Sequence, residues 1–308
     1  MRIIFFGTPQ TAVPFLDVCA SAAEVPLVVS QPDKPAGRKL EVQPTPVKAA
    51  ALARGLTVLQ PEKPAMILDQ LKAAKADLAV VVAYGRIFGQ SVIESTRLGL
   101  LNVHFSLLPK YRGAAPIQWS LWKGESRSGV SLFWIDKGMD TGPMLLKKEI
   151  PVALEDDALT LEEKLVGLGT GCLKEALAAI AKGEVRRDPQ EGEASLAPML
   201  EKAHGALDFG KTALEVHNQV RALCRWPVAY RETRRDGKPL RFSLLKTLPV
   251  DGSSGTPGTV VSVEKGRGIL VQCSSGRILL QRVQPEGRKP MAAEDFANGL
   301  RLKVGDIL

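Results

Sequence analysis

The chain has 308 residues, 45% of them hydrophobic, and carries a formal net charge of +8. A chain of this length is longer than a single hydrophobic core usually requires and is sufficient for two domains. No run approaches the ~18 consecutive apolar residues of a membrane span. The four cysteines, Cys19, Cys172, Cys224 and Cys273, are far apart and form no Cys-x-x-Cys pair, which argues against a zinc site or a disulfide framework and favours a cytoplasmic protein.

The first 150 residues alternate short apolar runs with stretches of helical character. Runs at 3–6, 26–29, 57–59, 78–83 and 100–105 are bounded by Gly, Pro or polar residues and predict buried strands. Stretches at 11–22, 47–53, 65–76 and 90–95 predict helices between them. This alternation predicts an α/β fold with a doubly wound, mostly parallel sheet, which runs at 129–135 and 144–152 extend with antiparallel edge character.

The second half changes its pattern. A long amphipathic helix is expected over 159–182, ended by Gly183, and residues 184–206 are polar and irregular. After a helix over 212–223, short strands at 241–245, 258–263, 269–273 and 278–283 alternate with Gly-rich turns, as in a small OB-like β-barrel. We therefore predict a catalytic domain over 1–188, a linker over 189–206 and a C-terminal barrel domain over 207–308.

The positive charge is concentrated at the C-terminal end. Residues 201–308 hold 18 Lys/Arg against 11 Asp/Glu, whereas residues 1–200 are nearly neutral. A basic barrel predicts a polyanionic partner. A surface that merely keeps the protein in solution is the alternative explanation.

Chemistry is suggested by the end of the fifth predicted strand. Asn102 and His104 are two residues apart, so their side chains point to one face of the strand. An amide, an imidazole and the later carboxylate of Asp140 are the groups needed to hold and protonate a tetrahedral oxyanion. Each also has a structural explanation: a lone His at a strand end is usually only a hydrogen-bonded polar residue, Asn102 can cap a turn, and Asp140 can begin one.

The order of several motifs resembles the 10-formyltetrahydrofolate-dependent formyltransferases. The matching segments are Phe6-Gly7-Thr8-Pro9, Gln31-Pro32-Asp33-Lys34-Pro35-Ala36-Gly37-Arg38, Val81-Val82-Ala83-Tyr84-Gly85, Asn102-x-His104, Ser106-Leu107-Leu108-Pro109, Arg112-Gly113, Asp140-Thr141-Gly142 and Gln284-Pro285-Glu286-Gly287-Arg288-Lys289-Pro290-Met291. The likeness runs from residue 2 to the C-terminus. It implies a Rossmann-like formyltransferase domain with 10-formyltetrahydrofolate as co-substrate and no metal.

The segment Ala114-Ala115-Pro116-Ile117-Gln118 resembles the branch of the family that formylates the α-amino group of methionine on charged initiator tRNA. The resemblance then implies roles for three groups of residues. The catalytic residues would be Asn102, His104 and Asp140. The folate-binding residues would be Ser106, Leu107, Leu108, Pro109, Tyr84 and Gly85. The tRNA-binding residues would be Lys34, Arg38 and Lys39. In Cys224-Arg225-Trp226-Pro227 the chain departs from the Asn-Pro-Trp-Pro that is usual in the family, and we predict Arg225 as an additional phosphate contact. We expect a monomer that binds tRNA through the barrel and has no membrane partner.

Other functions remain open from the sequence alone. A formyltransferase acting on a nucleotide-linked amino sugar would share the three catalytic residues, and so would a hydrolase that releases formate from the same folate. A nonenzymatic RNA-binding protein on the same fold is a third alternative. The first strand ends in Gly7-Thr8-Pro9 and lacks the Gly-x-Gly-x-x-Gly turn, which argues against a nicotinamide cofactor.

Overall fold

The computed structural model describes residues 1–36, 41–235 and 237–308, and the chain divides into two compact units. The first unit comprises Met1–Pro116, Arg127–Pro151 and Glu162–Pro198, and the second comprises Ile117–Ser126, Val152–Leu161 and Met199–Leu308. Residues 189–198 thus group with the first unit. The predicted boundaries at 188 and 206 stay predictions. None of the helices in the described part of the chain combines the length and apolar composition needed to cross a bilayer.

The first unit is built on a seven-stranded sheet with the order β10-β9-β7-β6-β1-β2-β5. Its strands are β1 Arg2–Gly7, β2 Glu24–Val29, β5 Val58–Leu59, β6 Leu78–Val82, β7 Leu100–His104, β9 Arg127–Trp134 and β10 Met144–Pro151. Two short ladders join β3 Lys34–Ala36 to β4 Glu41–Gln43 and β8 Arg112–Gly113 to β11 Leu196–Ala197. The five strands from β7 to β5 pair in parallel, while β9 and β10 are antiparallel.

Helices follow these strands, and all but the 24-residue α6 are short. They are α1 Val13–Ala22, α2 Pro46–Leu52, α3 Leu68–Ala73 and α4 Gln90–Ile93, and further along the chain α5 Pro116–Trp122 and α6 Ala158–Ala181. All five residues of β6 are buried, as expected for a parallel strand whose two faces are both covered. Helix α2 begins where the Thr45 side chain accepts a hydrogen bond from the Lys48 amide, with Pro46 at its first position.

The second unit contains an antiparallel sheet with the order β12-β13-β16-β15-β14, and β17 pairs with β16. The strands are β12 Tyr230–Arg235, β13 Lys238–Val250, β14 Val260–Glu264, β15 Gly268–Gln272, β16 Arg277–Pro285 and β17 Met291–Ala292. Helices α7 Ala213–Ala222 and α8 Ala293–Leu300 pack against this sheet. Their shared core includes Val216, Phe242, Val271, Leu280 and Phe296.

The predicted fold class is confirmed: a mostly parallel, doubly wound sheet is followed by a small barrel-like antiparallel domain. The boundaries differ in places. The helix predicted over 65–76 is a 3-10 turn, Pro64–Ile67, followed by α3. Strand β12 was missed because its sequence, Tyr-Arg-Glu-Thr-Arg-Arg, lacks the apolar alternation on which strand prediction depends.

Candidate active site

Strand β7 carries the first two candidate catalytic residues in the middle of the first sheet. In register, Asn102 lies opposite Val81 of β6 on one side and Phe133 of β9 on the other. His104 ends the strand, and its partner on β9 is Ser131. The side chain of Asn102 is half-buried, whereas His104 is 6% exposed. Because the two residues are two apart in one strand, they present an amide and an imidazole on the same face of the sheet.

The imidazole of His104 is oriented by a backbone carbonyl. Its Nε2 atom lies 2.9 Å from the carbonyl oxygen of Tyr111, and a carbonyl can only accept, so Nε2 carries the hydrogen and donates it. The ring also packs edge-on against Phe133, with 6.3 Å between centroids. These two contacts leave Nδ1 as the ring nitrogen available for proton transfer.

Asp140 faces that nitrogen. Its Oδ2 atom lies 3.7 Å from Nδ1 of His104, which is too far for a direct hydrogen bond. The same oxygen accepts a hydrogen bond of 2.8 Å from the Gly113 amide. The Tyr111 carbonyl therefore orients the imidazole ring, and Asp140 is itself held by the backbone of β8.

The backbone around Asp140 is tightly constrained. Asp140 has a φ of 54°, a left-handed conformation that is uncommon for residues other than glycine, although Asp adopts it more readily than most. A Cβ atom at Gly142 would lie 1.8 Å from the carbonyl oxygen of Trp134. A Cβ atom at Gly113 would lie 2.6 Å from the carbonyl oxygen of Ala197. Both glycines are therefore needed for the close backbone approaches that bring Asp140 to His104.

The predicted folate-binding turn, Ser106 to Pro109, follows β7 directly. The Ser106 hydroxyl donates to the carbonyl of Lys110 at 2.6 Å, and its carbonyl accepts from the Ser131 hydroxyl at 2.7 Å. Ser131 in turn accepts from the Leu108 amide at 3.0 Å. Leu108 and Pro109 are buried, while Leu107 is half-buried. The turn is thus fixed by Ser131 of β9, directly after β7.

Tyr84 and Gly85, also predicted to contact folate, follow the parallel strand β6. The ring of Tyr84 is 1% exposed and packs in the core against Phe6 and Phe88. Burial raises the pKa of its hydroxyl. The Tyr84 carbonyl accepts a hydrogen bond of 2.6 Å from the side chain of Gln31. The ring of Tyr84 therefore belongs to the core, and the folate contact at Tyr84 and Gly85 stays a prediction.

The predicted tRNA-binding residues are separated along the chain. Lys34 is exposed at the start of β3, and Arg225 is exposed just after α7, whereas Arg38 and Lys39 lie outside the described residues. Asp33 precedes β3 and contacts Lys48, while Gln60 donates to it at 2.7 Å. The hydrogen bonds from Lys48 and then Gln60 lower the pKa of Asp33, so this carboxylate stays ionised and ties the residue before β3 to α2.

Sequence reasoning missed two groups at this site. The Tyr111 carbonyl orients His104, and the side chain of Gln190 donates to the carbonyls of Asp140 and Gly142. The role of a backbone carbonyl cannot be predicted from residue identity, because every residue has one. Gln190 stands in a polar stretch that looks like a linker. Within the described residues, no group of three or more His, Cys, Asp or Glu side chains is arranged to hold a metal ion.

Both parts of the chain match models of known families. Residues 1–177 match a family described as formyl transferase, and residues 199–301 match one described as formyl transferase, C-terminal domain.

Curated relatives match the whole chain. A methionyl-tRNA formyltransferase of Elusimicrobium minutum is 42% identical over 331 residues, covering 100% of this chain and 99% of that protein. A methionyl-tRNA formyltransferase of Solibacter usitatus is 44% identical over 314 residues, covering 100% and 98%.

Solved structures support the fold. The N-formyltransferase from Helicobacter canadensis, in complex with folinic acid and dTDP-3-aminofucose, has a TM-score of 0.70 at 20% identity and covers 92% of this chain and 99% of that one. HypX from Aquifex aeolicus, in complex with tetrahydrofolic acid, has a TM-score of 0.65 at 17% identity and covers 100% and 49%.

Proposed function

The chain belongs to the formyl transferase family, and from that premise we propose that it transfers a formyl group from 10-formyltetrahydrofolate to the α-amino group of methionine on charged initiator tRNA. We propose that it does so as a cytoplasmic monomer, in support of translation initiation. The main support for the proposal is the similarity to curated relatives over the full length of the chain. Relatives named methionyl-tRNA formyltransferase align with the whole chain at 42–44% identity, so both the catalytic unit and the basic unit are shared with them.

The reaction forms a bond between the amine nitrogen and the formyl carbon, and then breaks the bond from that carbon to N10 of the folate. Negative charge develops on the formyl oxygen in between. The amide of Asn102, on the same strand face as His104, is suited to donate to that oxygen. A preorganised donor of this kind contributes on the order of 3 kcal/mol to the transition state.

The attacking amine must lose a proton, and N10 must gain one. Nδ1 of His104 and Oδ2 of Asp140 are 3.7 Å apart, so a single amine or water can hydrogen-bond both at once. Nδ1 is suited to this exchange because Nε2 is engaged with the Tyr111 carbonyl. In this proposal Asp140 stabilises the imidazolium that forms when Nδ1 takes up the proton, and His104 then returns a proton toward N10.

Folate binding is proposed at the turn from Ser106 to Pro109, together with Gly85. The turn follows the catalytic strand without interruption, so a donor bound there has its formyl carbon near Asn102 and His104. Rigid attachment of the turn through Ser131 supports this role, since misplacement by about 1 Å can cost ~10²-fold in rate.

Recognition of tRNA is proposed through distributed positive charge. The excess of Lys/Arg lies in residues 201–308, where Arg225 is exposed, and Lys34, Arg38 and Lys39 add charge from the first unit. Such groups contact phosphates, which position an RNA without reading its sequence.

A formylation assay with three acceptor conditions tests the proposal. Purified protein and 10-formyltetrahydrofolate are incubated with charged initiator tRNA, with a nucleotide-linked amino sugar, or with no acceptor. We expect turnover only with the charged tRNA. Equal consumption of the donor without an acceptor would identify a hydrolase, and turnover with the sugar alone would identify a sugar formyltransferase.

A further inference from the structure

Residues 188–197 lie along the ends of the elements that build the active site. At one end, Asp188 and Met144 exchange two backbone hydrogen bonds of 2.7 and 3.0 Å. At the other end, β11 pairs with β8. We call residues 188–197 the strap.

Gln190 of the strap joins two loops of the active site through one side chain. Its Oε1 atom accepts from the Arg112 guanidinium at 2.6 and 3.2 Å. Its Nε2 atom donates to the carbonyl oxygens of Asp140 at 2.8 Å and Gly142 at 2.9 Å. A primary amide has two N–H donors, and both are used on the two carbonyls that flank Thr141. The half-buried side chain therefore fixes the peptide units next to the Asp140 carboxylate.

Ser195 secures the His104 side of the site from the same strap. Its hydroxyl accepts from the Tyr111 amide at 2.9 Å, and its carbonyl accepts from the Arg112 amide at 2.9 Å. The Tyr111 carbonyl, on the other side of that residue, is the acceptor for Nε2 of His104. The strap thus reaches both partners of the pair formed by His104 and Asp140, at two separate residues.

We propose that Gln190 is a positioning residue for formyl transfer, which sets the distance between the Asp140 carboxylate and Nδ1 of His104. The inference rests on the proposed function. Its physical basis is that Asp140 adopts a left-handed backbone conformation, which persists only where surrounding contacts determine it. Without the Gln190 amide, the carbonyls of Asp140 and Gly142 lose the hydrogen bonds that hold them, and the peptides can rotate. Gln190 touches no reacting atom in this scheme.

The test is a double-mutant cycle of Gln190→Met and Asp140→Asn, with kcat and the KM of each substrate measured at steady state. Gln190→Met keeps the length of the side chain and removes its hydrogen bonds. We expect it to lower kcat by about ten-fold or more, with KM for both substrates within about three-fold of normal. In the Asp140→Asn background the same change should lower kcat by less than about two-fold, because coupled residues are not additive. Equal losses in both backgrounds, or a wild-type kcat, would overturn the proposal.

Two further variants refine the cycle. Gln190→Glu keeps an acceptor for Arg112 but removes the donors to Asp140 and Gly142, so it should be as damaging as Gln190→Met. Glu191→Met places the same apolar side chain at the neighbouring exposed position and should leave kcat unchanged. A normal rate in Gln190→Glu would contradict a role exerted through Asp140.

A second readout does not need the acceptor. The imidazole of His104 is followed by NMR at one fixed pH in the wild type and in each variant, which is practicable because the chain has three histidines. We expect Gln190→Met to displace the His104 ring resonances in the same direction as Asp140→Asn, and the double variant to show no further displacement. Undisplaced His104 resonances in Gln190→Met would reject the inference even if the wild type proved to have another acceptor, so the two failures can be told apart.

Discussion

At the scale of single residues, the site depends on which nitrogen of His104 is free to react. The carbonyl of Tyr111 engages Nε2 and leaves Nδ1, which faces Asp140, for the proposed proton transfer. A residue that contributes only its backbone thus decides the tautomer of the catalytic candidate.

Replacement of His104 by Ala removes this proton-transfer group. We expect kcat to fall by two orders of magnitude or more, because neither Asp140 nor Asn102 can take over the exchange at Nδ1. The affinity for the folate, measured by fluorescence titration, should change little, since the Ser106–Pro109 turn is held by Ser131. A variant that kept more than about a tenth of normal turnover would place His104 outside the chemistry.

The residues of the site were predictable to different degrees. Asn102 and His104 follow from the sequence because strand alternation alone places them on one face of β7. The place of Asp140 beside His104 was expected only from the family resemblance, since no periodicity links Asp140 to strand β7. Gln190 was not predictable: its partners are an arginine and two carbonyls from distant loops, and a polar stretch gives no sign of them.

At the scale of elements, helix α7 shows how buried polar side chains can hold neighbouring segments of the second unit together. It begins with a capping box formed by Thr212 and Glu215, yet His217, Gln219 and Arg221 are all buried. Each has partners. Arg221 donates to the carbonyls of Ala153 and Asp156, and Gln219 donates to those of His204 and Ala206. Within the second unit, hydrogen bonds from helix α7 therefore hold residues 153–156 and 204–206 against the helix.

His217 makes the stability of this arrangement depend on pH. Its Nε2 atom donates to the Leu154 carbonyl, and its Nδ1 accepts from the Thr247 hydroxyl, both at 3.0 Å. Burial, assisted by the nearby Arg221 charge, lowers the pKa of His217, although Leu154 and Glu155 oppose the shift. The folded protein therefore resists protonation of His217, whereas the unfolded chain takes up this proton below a pKa of about 6.5.

The sign of the effect follows from proton binding. Where the unfolded state binds more protons, stability rises with pH, so the contribution of His217 is present above about pH 6.5 and is lost as the pH falls below it. Urea unfolding followed by circular dichroism between pH 8 and pH 5 should show this loss, and His217→Gln should show a shallower one. Equal pH dependence in the two proteins would contradict the assignment.

Some elements were visible in the sequence and others were not. The buried parallel strands were predicted because they are continuous apolar runs, with β6 buried throughout. The grouping of Ile117–Ser126 and Val152–Leu161 with the second unit was not, because it depends on long-range hydrogen bonds such as those from Arg221 to Ala153 and Asp156.

At the scale of the whole molecule, positive charge is distributed unevenly along the sequence. The excess of Lys/Arg over Asp/Glu lies almost entirely in residues 201–308. When Lys and Arg side chains contact the phosphates of a nucleic acid, they release bound counterions. The affinity for the nucleic acid therefore falls steeply as the salt concentration rises. For the proposed function, the asymmetry predicts that tRNA is captured mainly by the C-terminal part of the chain.

Binding of charged tRNA should therefore weaken by at least ten-fold, on the order expected for several phosphate contacts, between 50 and 200 mM salt. Folate affinity measured over the same range should change far less, because the folate has no phosphates to release counterions. Filter binding and fluorescence titration on the same protein provide the two measurements. A tRNA affinity independent of salt would contradict capture through phosphates.

The central claim is that the formyl group of the folate ends on the amine of the esterified methionine. The most direct measurement combines the protein, labelled 10-formyltetrahydrofolate and charged initiator tRNA, followed by nuclease digestion and mass spectrometry of the aminoacyl adenosine. We predict that methionine gains the mass of one labelled formyl group, with one tetrahydrofolate released for each methionine modified. Release of labelled formate with unmodified methionine would contradict the account.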